Sequence, residues 1–287
     1  MVQPNHINAL NHTQSHAMPR PNNPHPSTIF SLIPVNDRAR AVLAHPNNSH
    51  LVSLIPDLKG PEYPEGIKHG LNIGFQIGSK SRHTLATLGR NGADITVEGS
   101  NISRVHCSFE IHQDSRLILL YDRSTARSTQ LYGANAIPFE LERDPRRVVV
   151  TQNFNKEFGF GGVTCDFVRF RIHWHRRPNP LDMQEHLSYR EDNPRFARTL
   201  DETPIVPPSG LVTEINTRGN REPKIRHMGK WPLGSGSYGQ VWRVANVDSG
   251  EFLAVKRVKL PEQGLQSSAY TMLKREVEAL ARVSHVS

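Results

Sequence analysis

Strict two-residue alternation is the feature that most constrains this 287-residue chain. Val105, Cys107, Phe109 and Ile111 alternate with Arg104, His106, Ser108 and Glu110; Val168, Phe170, Ile172 and Trp174 alternate with Phe167, Arg169, Arg171 and His173. Side chains on a strand point to its two faces in turn, so each run predicts a strand with one buried face and one solvated or functional face. Leu117 to Tyr121 and Val148 to Val150 are continuous apolar runs, as in strands covered on both sides. Such short strands, broken by Gly, Pro, Asp and Asn turns, fill the region from Ile67 to Trp174 and predict an all-β sandwich. Cys107 lies on the apolar side of its run and reads as a packing residue.

A hydrophobic fraction of 36% with 21 prolines is low for one compact body and predicts compact parts joined by polar linkers. Residues 1–27 are rich in Asn, His and Pro, cannot bury enough surface to offset ordering entropy, and read as a disordered tail. His6, His12, His16 and His25 are irregularly spaced and lack Cys or acidic partners, so they read as solvated side chains and no metal site is expected. Residues 28–66 form an N-terminal extension expected to pack on the following domain. Its runs Ile29–Ile33 and Leu51–Ile55 fit strand or helix equally, and Asp37–Leu43 between them fits about two helical turns. Residues 67–175 are the β domain, and residues 176–226, with their repeated prolines, read as a long polar linker. Residues 227–287 return to strand periodicity near Trp231, followed by a helical pattern over Ser267–Val283.

The two cysteines, Cys107 and Cys165, are too few for a disulfide framework and point to a reducing compartment. No apolar run approaches the roughly 20 residues that span a bilayer, and the start lacks a secretory signal, so no membrane partner is expected. A net charge of +8 favours acidic or phosphorylated partners. The basic residues form no dense run, and nucleic acid is not the expected partner.

A phosphothreonine presents nearly two negative charges and three acceptor oxygens. A site selective for it needs a guanidinium fork with neutral hydroxyl or amide donors, which loops at one end of a sandwich can supply. Gly89-Arg90, Ser103-Arg104-Val105-His106 and Asp122-Arg123-Ser124-Thr125 follow one another at short spacing inside the β region. In that order they resemble the forkhead-associated (FHA) domain, a reader of phosphothreonine. The resemblance implies that Arg90 grips the phosphate, that Ser103 donates its hydroxyl to it, and that Arg104 adds a contact to phosphate or peptide. It places Thr125, in the closing motif, on the same binding surface. Gly89 and His106 would be structural, the histidine bracing the binding loops. The family motif continues Asn-Gly-Thr, whereas this chain continues Ala126-Arg127-Ser128-Thr129. The asparagine that would bond the peptide backbone is missing, and Arg127 and Ser128 are the candidates to replace it.

Gly234-Ser235-Gly236-Ser237-Tyr238-Gly239-Gln240-Val241 follows Leu233 as a Gly-x-Gly-x-x-Gly-x-Val loop. Dinucleotide-binding folds use similar glycines but place a helix next. Here Val241–Val244 reads as a strand, Asp248-Ser249-Gly250 as a hairpin turn, and Leu253-Ala254-Val255-Lys256 as a second strand. The combination resembles the opening of a protein kinase. The resemblance implies that residues 233–239 lie over the ATP phosphates, Val241 and Ala254 cover the adenine, and Lys256 reaches the phosphates. Glu276, beside the helical stripe Leu273, Val277 and Leu280, would be the glutamate that pairs with Lys256. Neither His-Arg-Asp nor Asp-Phe-Gly occurs; Cys165-Asp166-Phe167-Val168 precedes the glycine loop and fails the second motif. The chain as given is therefore expected to have no kinase activity.

FHA domain, linker and partial kinase N-lobe together resemble checkpoint-type Ser/Thr kinases of the DNA-damage response, including fungal ones. That resemblance implies ATP with Mg as the cofactor of the complete family. It also implies phosphothreonine-containing protein partners, self-association through a phosphorylated tail, and a nuclear location. The alternative is a phosphopeptide-binding adaptor without catalysis.

Overall fold

The computed structural model describes residues 23–192, apart from 57, 59, 61, 62, 64, 65, 67, 141, 142, 163–165 and 178. It also describes residues 225–258, apart from 237 and 238, together with 268, 270–272, 274, 275 and 278. Most of the expected tail, the later part of the expected linker, Cys165 and Glu276 lie outside the described residues.

The described fold is mostly antiparallel β. One sheet holds β1 (Thr28–Pro34), β2 (Val52–Leu54), β3 (His69–Gly74), β8 (Gln130–Tyr132), β10 (Glu157–Phe160) and β11 (Val168–Trp174). Its strand order is β2-β3-β1-β11-β10-β8. A second sheet holds β4 (Thr84–Gly89), β5 (Ile95–Thr96), β6 (Cys107–Ile111), β7 (Ile118–Asp122) and β9 (Arg147–Val149) in the order β5-β4-β6-β7-β9. Only β4 and β5 in it run parallel. The two sheets close on one apolar core. Phe30 of β1 meets Phe109 of β6 edge-on at 5.0 Å, and Phe109 meets Phe158 of β10 at 5.4 Å. Such edge-to-face pairs add to the burial of rings that are already wholly enclosed.

The alternation predicted for β11 holds as far as His173: Val168, Phe170 and Ile172 are buried, Arg169, Arg171 and His173 are less so, and Trp174, expected on the buried face, is half-buried against the core. In β6 it fails on one side, because His106 and Ser108 are buried too. The segment after β7 covers them, with Ser128 against His106 and Arg123 against Ser108.

The N-terminal extension is more closely integrated than packing on a domain. β1 lies between β3 and β11, with Phe30 opposite Trp174 and Leu32 opposite Ile172. All seven of its residues are buried. Ser31 remains satisfied inside because its hydroxyl donates to Asn72 Oδ1 at 2.8 Å. The expected two helical turns are α1 (Asp37–Ala44), capped by Asn36, whose side chain accepts from Ala39 N–H. A 3-10 turn, Pro46–Leu51, leads into β2.

The stretch read as linker opens with another packed helix, α2 (Pro180–Tyr189). Asn179 caps it, Pro180 occupies its first turn, and Met183 and Leu187 enter the core from one face.

A third, three-stranded antiparallel sheet holds β12 (His227–Gly236), β13 (Gly239–Asn246) and β14 (Phe252–Val258). The hairpin turn between β13 and β14 rests on the edge strand β9. Val149 N–H donates to Val247 O at 2.8 Å, and Arg147 Nε donates to Asp248 O at 3.2 Å. The Asp248 carboxylate is 3% exposed and is held by Arg226 and Arg143. No described helix is long and apolar enough to cross a membrane.

Candidate functional site

The FHA-like residues converge at the end of the second sheet, where β4 leaves the ladder and β6 enters it. Arg90 N–H donates to Ser103 O at 3.0 Å, and His106 N–H donates to Leu88 O at 2.7 Å. These bonds set the loop after β4 beside the loop before β6. Gly89 makes the approach possible, because a Cβ there would lie 2.0 Å from Arg104 O. Asp94 pins the first loop from behind: its Oδ2 accepts from Thr87 N–H and Oγ–H, both at 2.9 Å, and from Ser79 Oγ–H at 2.5 Å. Arg90 and Arg104 are exposed and Ser103 is half-buried. Among the described residues the Arg90 guanidinium has no hydrogen bond or ion pair.

His106 joins this loop pair to a third loop, the one after β7. Its Nδ1 accepts from Ser103 N–H at 3.1 Å, so Nε2 carries the proton and donates to Ser128 Oγ at 2.9 Å. Burial holds its pKa down to about 4, so the ring is neutral at physiological pH and works as a brace, without charge.

Ser128 N–H donates to Ser124 Oγ at 3.1 Å, and the Ser124 hydroxyl donates to Asp122 Oδ1 at 2.7 Å. Arg146 Nη1 donates to Asp122 Oδ2 at 2.7 Å and also to Arg127 O. Arg127 has φ of 50°, the left-handed conformation that Gly and Asn adopt most readily. The loop therefore keeps a backbone position suited to Asn-Gly while carrying an arginine there. Thr125 is exposed at its tip.

The sequence indicated Arg90, Ser103, Arg104, His106 and, as a candidate to replace the family asparagine, Ser128, but not Asp94 or Arg146. Asp94 and Arg146 act across 7 to 24 residues of sequence, which no local pattern reports. Cys107, read as packing, is fully buried, and burial raises its thiol pKa well above the ordinary value.

The kinase-like residues gather on the third sheet. Gly236 pairs with Gly239, so the β12–β13 hairpin closes at the glycine loop. Val241 lies opposite Lys256, and Arg243 lies opposite Ala254. Leu233, Gly234, Ser235, Ala254 and Lys256 are exposed, and Val241 is half-buried. Ser237, Tyr238 and Glu276 lie outside the described residues, so the expected Lys256–Glu276 pair does too. The same sheet carries an aromatic cluster that sequence reading missed. Arg243 lies 5.4 Å from the Trp231 ring centre and 4.7 Å from that of Phe252.

Among the described residues, no group of three or more His, Cys, Asp or Glu side chains could hold a metal ion. No protein-family model, curated protein or solved structure matches this chain.

Proposed function

We propose that the two-sheet body is an FHA-type sandwich that binds phosphothreonine-containing peptides. The observation that carries this reading is the Arg90 N–Ser103 O bond of 3.0 Å, which sets a guanidinium and a hydroxyl on adjoining loops. The fork supplies charge-assisted donors to the phosphate oxygens, and the Ser103 hydroxyl adds a neutral donor. Arg104, exposed next to Ser103, extends the cationic surface toward phosphate or peptide. Gly89 and neutral His106 hold the loops in register without entering the contact.

The third sheet is, in this proposal, part of the ATP-binding lobe of a checkpoint-type Ser/Thr kinase. Leu233 to Gly239 would cover the phosphates, Val241 and Ala254 would face the adenine, and Lys256, with Glu276, would orient the phosphate chain. The closure of β12–β13 at the glycine loop and the Val241–Lys256 register support that assignment. ATP with Mg is the cofactor the family uses. The 287 residues hold neither His-Arg-Asp nor Asp-Phe-Gly, so the activity proposed for them is binding. Docking on phosphorylated adaptors, or on another copy's phosphorylated tail, would raise local concentration, in the nucleus by family resemblance.

The test is a titration of the whole chain with matched phosphothreonine, phosphoserine and unphosphorylated peptide pools, beside Arg90→Ala. Binding that prefers phosphothreonine and disappears in the variant is expected. Equal affinity for phosphorylated and unphosphorylated peptides would sink the proposal.

A further inference from the structure

We infer that Asp166, clamped by Arg38, is the positioning residue for the phosphate-contacting hydroxyl of Ser103. The inference rests on the phosphothreonine reading above and names what that site depends on beyond its contact residues.

The loop from Glu98 to Val105 lies outside the strand ladders. A donor on such a loop holds its direction only if the backbone around it is anchored. Ser103 is tied on its own N–H by His106. The preceding residues are tied by a carboxylate from the far side of the sequence. Asp166 Oδ2 accepts from Asn101 N–H at 2.9 Å and from the Ser100 hydroxyl at 3.0 Å. Arg38 Nη2 reaches Asp166 Oδ1 at 3.3 Å and Glu98 O at 2.8 Å. The clamp thus grips the loop at Glu98, Ser100 and Asn101. Ile102, next along, is 1% exposed and fixed in the core.

Three glycines make room for the clamp. A Cβ at Gly99 (φ 146°) would lie 2.8 Å from Asp166 Cγ, and one at Gly161 (φ 98°) would lie 2.2 Å from Asp166 O. A Cβ at Gly162 would lie 2.5 Å from Asn101 Nδ2. The Asp166 side chain is 10% exposed. Its carboxyl is held below the usual range, first by the Asn101 N–H and then by the Ser100 hydroxyl and Arg38. Hydrogen bonds to an ionised acceptor are the stronger kind, and this one ends two residues before Ser103.

Asp166 does not touch the proposed phosphate position; it acts through the loop. Its partner Arg38 comes from α1, in the extension that precedes the β domain in sequence. In the sequence, Asp166 stands out only as part of a failed Asp-Phe-Gly. The fold gives the same carboxylate a different task.

A double-mutant cycle on the whole chain tests this. The affinity of a phosphothreonine peptide is measured for wild type, Asp166→Ala, Ser103→Ala and the double variant, each well below its own melting temperature. Each single change is expected to weaken binding roughly tenfold, the scale of one hydrogen bond to a charged group. The double variant is expected to bind no worse than either single one, because both remove the same contact. Asp166→Asn, which keeps an acceptor for Asn101 N–H, is expected to recover part of the loss. Arg38→Ala, whose side chain is 40% exposed, carries the same cycle if Asp166→Ala does not fold. Wild-type affinity in the clamp variants, or losses that simply multiply, would overturn the inference while leaving the phosphothreonine reading intact. A wild-type chain that does not distinguish phosphorylated peptides would overturn both.

Discussion

Phe109 and Phe252 each lie in an antiparallel strand, yet Phe109 is fully enclosed and Phe252 is 39% exposed. The contrast runs through the regions they belong to. In the two-sheet body both sheets turn an apolar face to a shared core lined by Phe30, Phe109, Phe158, Phe160 and Phe170. In the three-stranded sheet Leu233 and Trp231 are exposed as well, and among the described residues side-chain burial is confined to Val244, Ala245, Asn246 and the turn beyond them, with only Gly239 also buried at the far end of β13. That buried end is the one resting on β9. The small sheet has little described core of its own and gains its enclosure from the edge of the larger body. The benefit is mutual, because an uncovered edge strand offers unpaired backbone groups to other chains.

The largest expected effect lies in the core of the body. Phe109→Ala removes a ring that touches both Phe30 and Phe158, and is expected to cost about 4 kcal/mol. Urea denaturation of the whole chain, followed by far-UV circular dichroism, would show the midpoint fall. A change below about 1 kcal/mol would mean that the two sheets do not share the core described here.

Acid should weaken the body next. His106 has a folded-state pKa of about 4 against an ordinary value of 6.5. The unfolded chain therefore binds the extra proton first, and stability falls as pH drops from 6.5 toward 4, by at most about 3 kcal/mol from this residue. Burial lowers His83 and His112 in the same direction, so they add to the slope. His106→Asn keeps an acceptor for Ser103 N–H and should flatten the profile in that window. An unchanged slope in the variant would remove His106 as its source.

How much of this was readable beforehand follows from the range of the contacts. The alternation in β11 was legible because one face meets the core and the other does not. The unexpected burial of His106 and Ser108 was not, since their cover arrives from Arg123 and Ser128, beyond any local window. β1 was ambiguous because burial on both faces erases the period that separates strand from helix. α2 was misread as linker for its prolines, although Asn179-Pro180 is a helix-start signal: cap, then proline in the first turn. Arg90, Ser103 and His106 were visible as a motif. Asp166 and Arg38, which hold the same loop from 65 and 60 residues away, leave no trace in spacing.

The join between the two regions should yield before either core does. Asp248→Ala removes the buried carboxylate shared by Arg226 and Arg143, and should cost about 2 kcal/mol, below the fully buried limit because both arginines are partly exposed and Arg226 keeps Glu140. Amide exchange at Val149 should accelerate, since its N–H is bonded to Val247 O. Unchanged protection at Val149 would mean that the ion pairs do not hold the turn on the edge strand.

The smallest effect is expected at Phe252, and its size decides whether the small sheet has a core of its own. The ring meets Trp231 edge-on at 5.9 Å and covers one side of Arg243. Phe252→Ala removes that cover but leaves Arg243 against Trp231. Exposed cation–π contacts contribute about 0.5–1 kcal/mol, so the variant should lose less than about 1 kcal/mol in the same urea titration used for Phe109→Ala. A loss approaching that of Phe109→Ala would show that the aromatic face is enclosed in solution, and the contrast between the two regions would then fail.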